Sequence, residues 1–212
     1  MRHTPKHAVT DASVVRRLVE ENPWATLVSH SEGELVASHY PVLLDDRSDE
    51  LALLTHIGRP DDRLHGLARD AGSDSGAGSG EMLAIVAGPH GYISPSWYTE
   101  LAIAAPTWNF SVAHCYGVPE ILGAEENLRV LTRLVERFER HVENPVALDQ
   151  QMGARVAAGT VGIRLPVKRF VCKVKMSQDK DPQTQRQVLE ALRGHGPYGN
   201  QRLADEMQRA LG

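Results

Sequence analysis

Long apolar runs are missing from this chain. No stretch approaches the ~20 consecutive apolar residues of a membrane-spanning helix, so no such helix is expected. Cysteine is scarce as well. The only two, Cys115 and Cys172, exclude a disulfide scaffold and any zinc site built from cysteine alone. Both read most simply as buried thiols. There is no basic block: 23 Lys and Arg stand against 27 Asp and Glu, for a net charge of −4. A mildly acidic chain is a poor candidate for strong, non-specific nucleic-acid binding, although a locally basic DNA-reading surface is compatible with it. No Walker loop, His-Glu-x-x-His or Gly-x-Ser-x-Gly occurs. Without a Cys-x-x-Cys-His, any haem would be held non-covalently. The segment Met1–His7 has no apolar signal region, and the expectation is a soluble, cytoplasmic protein.

What is present is a chain of 212 residues with ten histidines. That length suits one large domain or two small ones, with a core that needs no staples. The pattern predicts a helix over Asp11–Asn22, with Val14, Val15, Leu18 and Val19 as its apolar face. Pro23 ends it. Strands follow over Trp24–His30, Leu35–Leu44 and Leu51–His56, the first two joined by a turn at Ser31–Glu34. Pro60-Asp61-Asp62 opens a helix expected to reach about Asp70. Ala71–Gly80 reads as a low-complexity, flexible surface loop. A strand at Met82–Ala87 leads to a turn at Gly88–Gly91. A long strand then covers Trp108–Leu122, with Trp108, Phe110, Val112, His114 and Tyr116 on one face. A helix over Glu125–Val142 carries the stripe Leu128, Leu131, Leu134, Val135, Phe138 and Val142. Another is expected over Pro145–Ala158. Strands at Thr160–Leu165 and Arg169–Met176 precede helices at Gln183–Arg193 and Asn200–Leu211. The hairpin-rich order predicts an α+β, mainly antiparallel protein with peripheral helices.

Two segments are rich in groups that suit a flat aromatic cofactor. Tyr92–Tyr98 and Ala105–Phe110 hold Tyr92, Ser94, Trp97, Tyr98, Trp108 and Asn109, which offer π-faces and fixed donors. The same aromatics also suit the filling of a barrel core. Lys173, Lys175 and Ser177 end a strand and open a loop, where they can hold a phosphate or carboxylate. Two such lysines also serve as an exposed strand edge that resists aggregation. Arg59 lies where a strand turns into a helix, a plausible anion site. His65 falls at the edge of that helix's core face, as a metal or haem ligand would, or as a satisfied core histidine. His56, His39 and His114 are the further histidines with intramolecular reach.

The motifs in order are Pro5 and His7, Asn22-Pro23, Ser38-His39-x-Pro41, Thr55-His56-x-x-Arg59, Gly91–Tyr98, Pro106–Phe110 and Lys175–Gln178. With them the chain resembles the PaiB-like proteins, the FMN-binding negative transcriptional regulators, over nearly its whole length apart from Ala71–Gly80. The resemblance implies an FMN-binding split β-barrel, normally a homodimer. It places a cofactor-binding domain over residues 1–180 and a C-terminal helical extension over 181–212. A branch resembling PaiB, the piperazate synthases, binds haem and closes N5-hydroxy-L-ornithine to L-piperazic acid by forming an N–N bond with loss of water. Four departures from the PaiB-like pattern point toward that branch: Ala105 before Pro-Thr-Trp-Asn-Phe, Asp179-Lys180 after Ser-Gln, Pro60-Asp61-Asp62, and Leu64-His65.

The enzymatic expectation is therefore a haem b enzyme acting on a small amino acid. His65 is the axial ligand and His56 the reserve. Arg59, Lys173 and Lys175 receive propionates or the substrate carboxylate. Trp97, Tyr98 and Trp108 wall the site, and Ser94, Asn109 and Ser177 complete the cofactor contacts. Arg59, His39 and His114 join His65 as catalytic candidates. The alternative expectation is an FMN-binding regulator, with Arg59, Lys175 and Ser177 on the phosphate and Trp108 near the ring. A nucleic-acid partner belongs only to that reading, and its last two helices make a weak DNA reader. A flavin-dependent oxidoreductase on the same barrel is the third.

Overall fold

The computed structural model describes residues 4–67, 80–99 and 105–212. Its strands in chain order are β1 (Ala8–Val9), β2 (Trp24–Ser31), β3 (Glu34–Pro41), β4 (Leu43–Leu44), β5 (Ala52–Gly58), β6 (Met82–Ile93), β7 (Thr107–Gly117), β8 (Glu120–Ile121), β9 (Thr160–Pro166) and β10 (Arg169–Lys175). The helices are α1 (Ala12–Glu21), α2 (Asp61–Leu64), α3 (Ala124–Glu139), α4 (Gln150–Ala158), α5 (Pro182–Arg193) and α6 (Gln201–Leu211). Two compact units result, and neither is one stretch of chain. The first gathers Met1–Asp11, Ala87–Ala113 and Val171–Gly212; the second gathers Ala12–Val86 and His114–Phe170. No helix among the described residues is long and apolar enough to cross a membrane.

In the second unit β3, β2 and the start of β6 pair antiparallel. Glu32 and Gly33, both at positive φ, make the tight β2–β3 turn, the backbone twist that two-residue hairpin loops require. A second sheet runs β4-β5-β9-β8, antiparallel throughout. Leu43 and Leu54 from this sheet bury against Val130 and Leu134 of α3. Helix α1 buries Val15, Leu18 and Val19, as its periodicity predicts.

In the first unit the strand order is β1-β10-β7-β6. Helices α5 and α6 belong to this unit and bury Val188, Leu189 and Leu192, and Leu203, Ala204 and Met207. The side chains of Asp181 and Asn200 cap the two helices, satisfying backbone N–H groups that a first turn leaves orphaned.

Several boundaries differ from the sequence reading: the helix expected over Pro145–Ala158 begins only at Gln150, and the strand expected over Leu35–Leu44 is two, β3 and β4, in different sheets. Gly88–Gly91 is not a turn, because β6 continues through it to Ile93. β2 pairs with β6 only as far as Val86, so Pro89 interrupts no β2–β6 ladder. The strand expected over Trp108–Leu122 is two, β7 and β8, divided at Val118-Pro119, where proline offers no N–H. The helix at Pro60 is a single turn ending at Leu64, and 65–67 leave it through a turn; residues 68–70 of its expected span and most of Ala71–Gly80 lie outside the described residues.

Candidate functional site

The predicted site residues fall into two groups, one in each unit. In the second unit β5 runs into α2 through Arg59, and a chain of hydrogen bonds gathers there. The hydroxyl of Tyr40 accepts from the Gly58 N–H at 3.0 Å and donates to Asp61 Oδ2 at 2.7 Å. Ser38 Oγ donates to the same oxygen at 3.1 Å. With its one proton so used, Ser38 Oγ accepts from Nε2–H of His65, 3.1 Å away. Nδ1 of His65 is then the acceptor for Ser29 Oγ at 2.7 Å. Both ring nitrogens of the buried His65 are thus engaged. Its burial lowers its pKa, and Asp61 partly offsets this. Burial likewise raises the Tyr40 phenol, aided by Asp61.

His56 sits edge-on to Tyr40 with ring centroids 5.8 Å apart. Its Nδ1 is buried without a partner, and burial lowers its pKa. Arg59 donates to Asp62 Oδ2 at 2.9 Å. His39 is exposed and stacks on Trp24. His114 is half-buried on β7, edge-on to Tyr116, and its burial lowers its pKa. Among the described residues no group of three or more His, Cys, Asp or Glu is arranged to hold a metal ion.

The first unit holds the rest. β7 buries Asn109, Ser111 and Ala113 and turns Trp108 outward, 54% exposed. The Lys175 ammonium donates to the Thr107 hydroxyl and, at 2.9 Å, to the carbonyl of Trp108 itself. Behind Trp108, Asn109 and Ser177 exchange hydrogen bonds of 3.0 and 3.2 Å in a fully buried pair. Ser177 takes a left-handed φ of 60° to do so.

Around Lys175 lies a cationic cluster. His7, buried next to β1, and Lys173, buried on β10, are brought together because Ala8 pairs with Lys173. Lys6 contacts Asp179 at 2.5 Å, and Lys180 stands 5.1 Å over the Tyr98 ring. Burial lowers the pKa of Lys175; Asp179 opposes the shift, while Lys180, Lys6 and Lys173 add to it. Burial lowers His7 as well, against Asp179 and with the three lysines at positions 6, 175 and 173. Burial also disfavours the charge on Asp179, but the Lys6 ammonium outweighs it and the pKa falls. Tyr98 is pushed up by burial and by Asp179. Among the described residues Lys6, Lys173, Lys175 and Lys180 thus gather near Asp179. Two buried polar atoms among them, His7 Nδ1 and the Tyr98 hydroxyl, have no partner. Unpartnered buried polar atoms beside clustered positive charge are features that suit an anion. Sequence reasoning gave little weight to His7 and did not use Lys6 or Lys180 as ligands, since nothing local announces that β1 returns to pair with β10.

Beside Trp108 a cleft of about 350 Å³ is lined by Gly91, Tyr92, Trp108, Pro197, Tyr198 and Asn200 among others. Tyr92 lies 4.9 Å from Tyr198 and 6.5 Å from Trp108, centroid to centroid. A neighbouring cavity of about 450 Å³ is lined by Ser94, Ser96 and Trp97 and by Gly194, Gly196, Pro197, Tyr198 and Gly199 of one loop. Ser94 caps the short turn Pro95–Trp97 by accepting from the Ser96 N–H. Tyr198 was missed from sequence because its loop reads only as a glycine-rich linker.

A family model described as "Putative FMN-binding domain" matches residues 1–169. The chain is 28% identical to the Protease synthase and sporulation protein PAI 2 of Bacillus subtilis (strain 168), over 99% of this chain and 98% of that protein. Among solved structures it is similar to the FAD and heme binding protein from Mycobacterium smegmatis, with a TM-score of 0.58 and 18% identity over 85% of this chain and 78% of that one. It is also similar to the flavocytochrome Anf3 from Azotobacter vinelandii, with a TM-score of 0.58 and 15% identity over 82% and 72% of the two chains. At such identities the structural likeness speaks for the fold alone, an α+β protein of the FMN-binding split-barrel class.

Proposed function

The chain belongs to the PaiB-like FMN-binding family, and from that premise we propose that it holds FMN in its first unit, the phosphate at the cationic cluster and the ring against Trp108. The observation that carries this reading is Lys175, whose ammonium sits on the carbonyl of Trp108. One residue thereby joins an anion-binding group to an exposed π-face, and FMN has one part for each. Lys6, Lys173 and Lys180 supply the further charge that a phosphate dianion calls for. His7 Nδ1 and the Tyr98 hydroxyl are the unpaired polar atoms beside it. Trp108 and Tyr92 offer stacking surface. The Asn109–Ser177 pair acts through Lys175: it ties β7 to the end of β10 and so holds the lysine beside the tryptophan. When bound, FMN supplies one- and two-electron chemistry, common ground for an oxidoreductase and for a flavin-sensing regulator.

Haem is a second reading, favoured by one observation: two proteins of similar fold are named for haem or as a flavocytochrome. It is the premise of the N–N bond-forming cyclase. For that role a ring nitrogen of His65 has to leave Ser29 or Ser38, since both nitrogens are engaged.

The test is to mix the protein with FMN, riboflavin or haem, pass each through gel filtration and record the absorption spectrum. FMN is expected to co-elute. Lys175→Met should weaken FMN by about tenfold to a hundredfold and leave the weaker riboflavin binding unchanged, because only the phosphate meets the lysine. Retained haem with a sharp Soret band and no retained FMN overturns the flavin reading in favour of the second.

A further inference from the structure

The cavity beside the Trp108 cleft lies in the same unit and, among the described residues, shares with it only Pro197, Tyr198 and Gly199. We infer that it is a binding site for an uncharged, planar aromatic molecule of about two fused rings, carrying a carbonyl or hydroxyl at its edge. Its volume of about 450 Å³ lies in the range of small-molecule sites.

The lining selects the chemistry. None of its described lining residues carries a charge at neutral pH, so a charged ligand would find no ionic partner among them. Trp97 and Tyr198 both line it, whereas Gly194, Gly196 and Gly199 keep its floor open to something flat. Ser94 Oγ and Ser96 Oγ are 2.7 Å apart. One donates to the other, which leaves a single hydroxyl proton to give. That proton suits a carbonyl or hydroxyl oxygen.

The compartment is also preformed. A Cβ on Gly199 would come within 2.2 Å of the Gly194 carbonyl oxygen, so the loop is folded on itself as only glycine permits. The Gly199 N–H donates to Gly196 O at 2.9 Å, and the Asn200 N–H donates to Leu192 O at 2.6 Å. Asn200 Nδ2 reaches the His90 carbonyl at 3.1 Å and fixes the loop to β6. A wall already ordered costs little to order on binding. The inference does not rest on FMN occupying the Trp108 cleft.

Calorimetric titration of the whole protein with 2-naphthol, and with 2-naphthoate as its charged counterpart, tests it. Saturable one-to-one binding of 2-naphthol is expected, with 2-naphthoate weaker by about tenfold or more. Gly196 lines the cavity, and a Cβ there meets nothing within 4 Å, so a bulky side chain fits without strain. Gly196→Phe should therefore abolish 2-naphthol binding, Gly196→Ala should keep it, and both should bind FMN as the unaltered protein does. Absence of saturable binding, equal binding by Gly196→Phe, or one-for-one displacement of FMN by 2-naphthol overturns the assignment. Loss of FMN binding alone overturns only the flavin reading.

Discussion

At the scale of single residues, His65 shows how a histidine can be found in sequence while its role stays hidden. Its place after Pro60-Asp61-Asp62, beside the core face of a short helix, was legible. That Ser29 and Ser38 approach it from the β2–β3 hairpin was not, because no periodicity reports which hydroxyl will meet which ring. The structure assigns both nitrogens, and a buried acceptor is costly to leave unpaired. Ser29→Ala should lower the unfolding free energy by about 1–2 kcal/mol, read from urea denaturation followed by fluorescence. An unchanged midpoint would mean that the ring has rotated to another donor. The lysines divide in the same way. Lys173 and Lys175 were visible where a strand ends, but their neighbour His7 comes from a distant part of the chain, through pairing between β1 and β10.

At the scale of elements, helix α3 and strand β7 each follow a readable pattern whose facing is decided by neighbours. The apolar stripe correctly announces α3, yet Phe138 and Val142 are exposed while Asn127 is buried. The amide of Asn127 donates to Thr160 Oγ1 at 3.1 Å, so a polar residue takes the place where helix meets strand. Strand β9 admits it only through Gly162, where a Cβ would lie 2.8 Å from Asn127 Oδ1 and 3.0 Å from its Cα. Gly162→Ala should accordingly push α3 off β9 and cost about 1–3 kcal/mol. A parallel loss of helical signal and thermal midpoint is the measurement, and an unaltered midpoint would show that α3 yields freely. On β7 the alternation of aromatic residues is real, but the buried face is the other one. It carries Asn109, Ser111, Ala113 and Cys115, small side chains that leave Trp108 available for a ligand.

At the scale of the whole molecule, stability in acid depends on charges gathered from distant parts of the sequence. Burial opposes the charge on Asp45, yet hydrogen bonds from Arg164 at 2.7 Å and Arg47 at 3.1 Å outweigh it and hold its pKa at about 2. The ordinary value is 3.8, so the folded pKa lies below the unfolded one. Its stabilisation is complete above the unfolded value and disappears as pH falls through the folded one. The unfolding free energy should drop by about 2 kcal/mol on that account as pH falls from 5 to 2. Asp45→Asn should remove that part of the slope, measured by denaturant unfolding at both pH values. An identical slope in the variant would assign the acid sensitivity elsewhere. Residue 164 lies on β9, and no local pattern connects it to a turn after β4; the hairpins were legible, and the arginine that pins them was not.

The two units are interleaved along the chain, Met1–Asp11 and Val171–Gly212 of the first flanking all of the second. Synthesis proceeds from the N-terminus, so every residue of the second unit has been made once Phe170 has. The first unit still waits for its closing strand β10 and for both capped helices. A ribosome therefore releases the His65 cluster earlier, while Lys173, Lys175 and the Tyr198 loop follow it, and a chain stalled before Val171 would hold every residue of the second unit without the lysine cluster.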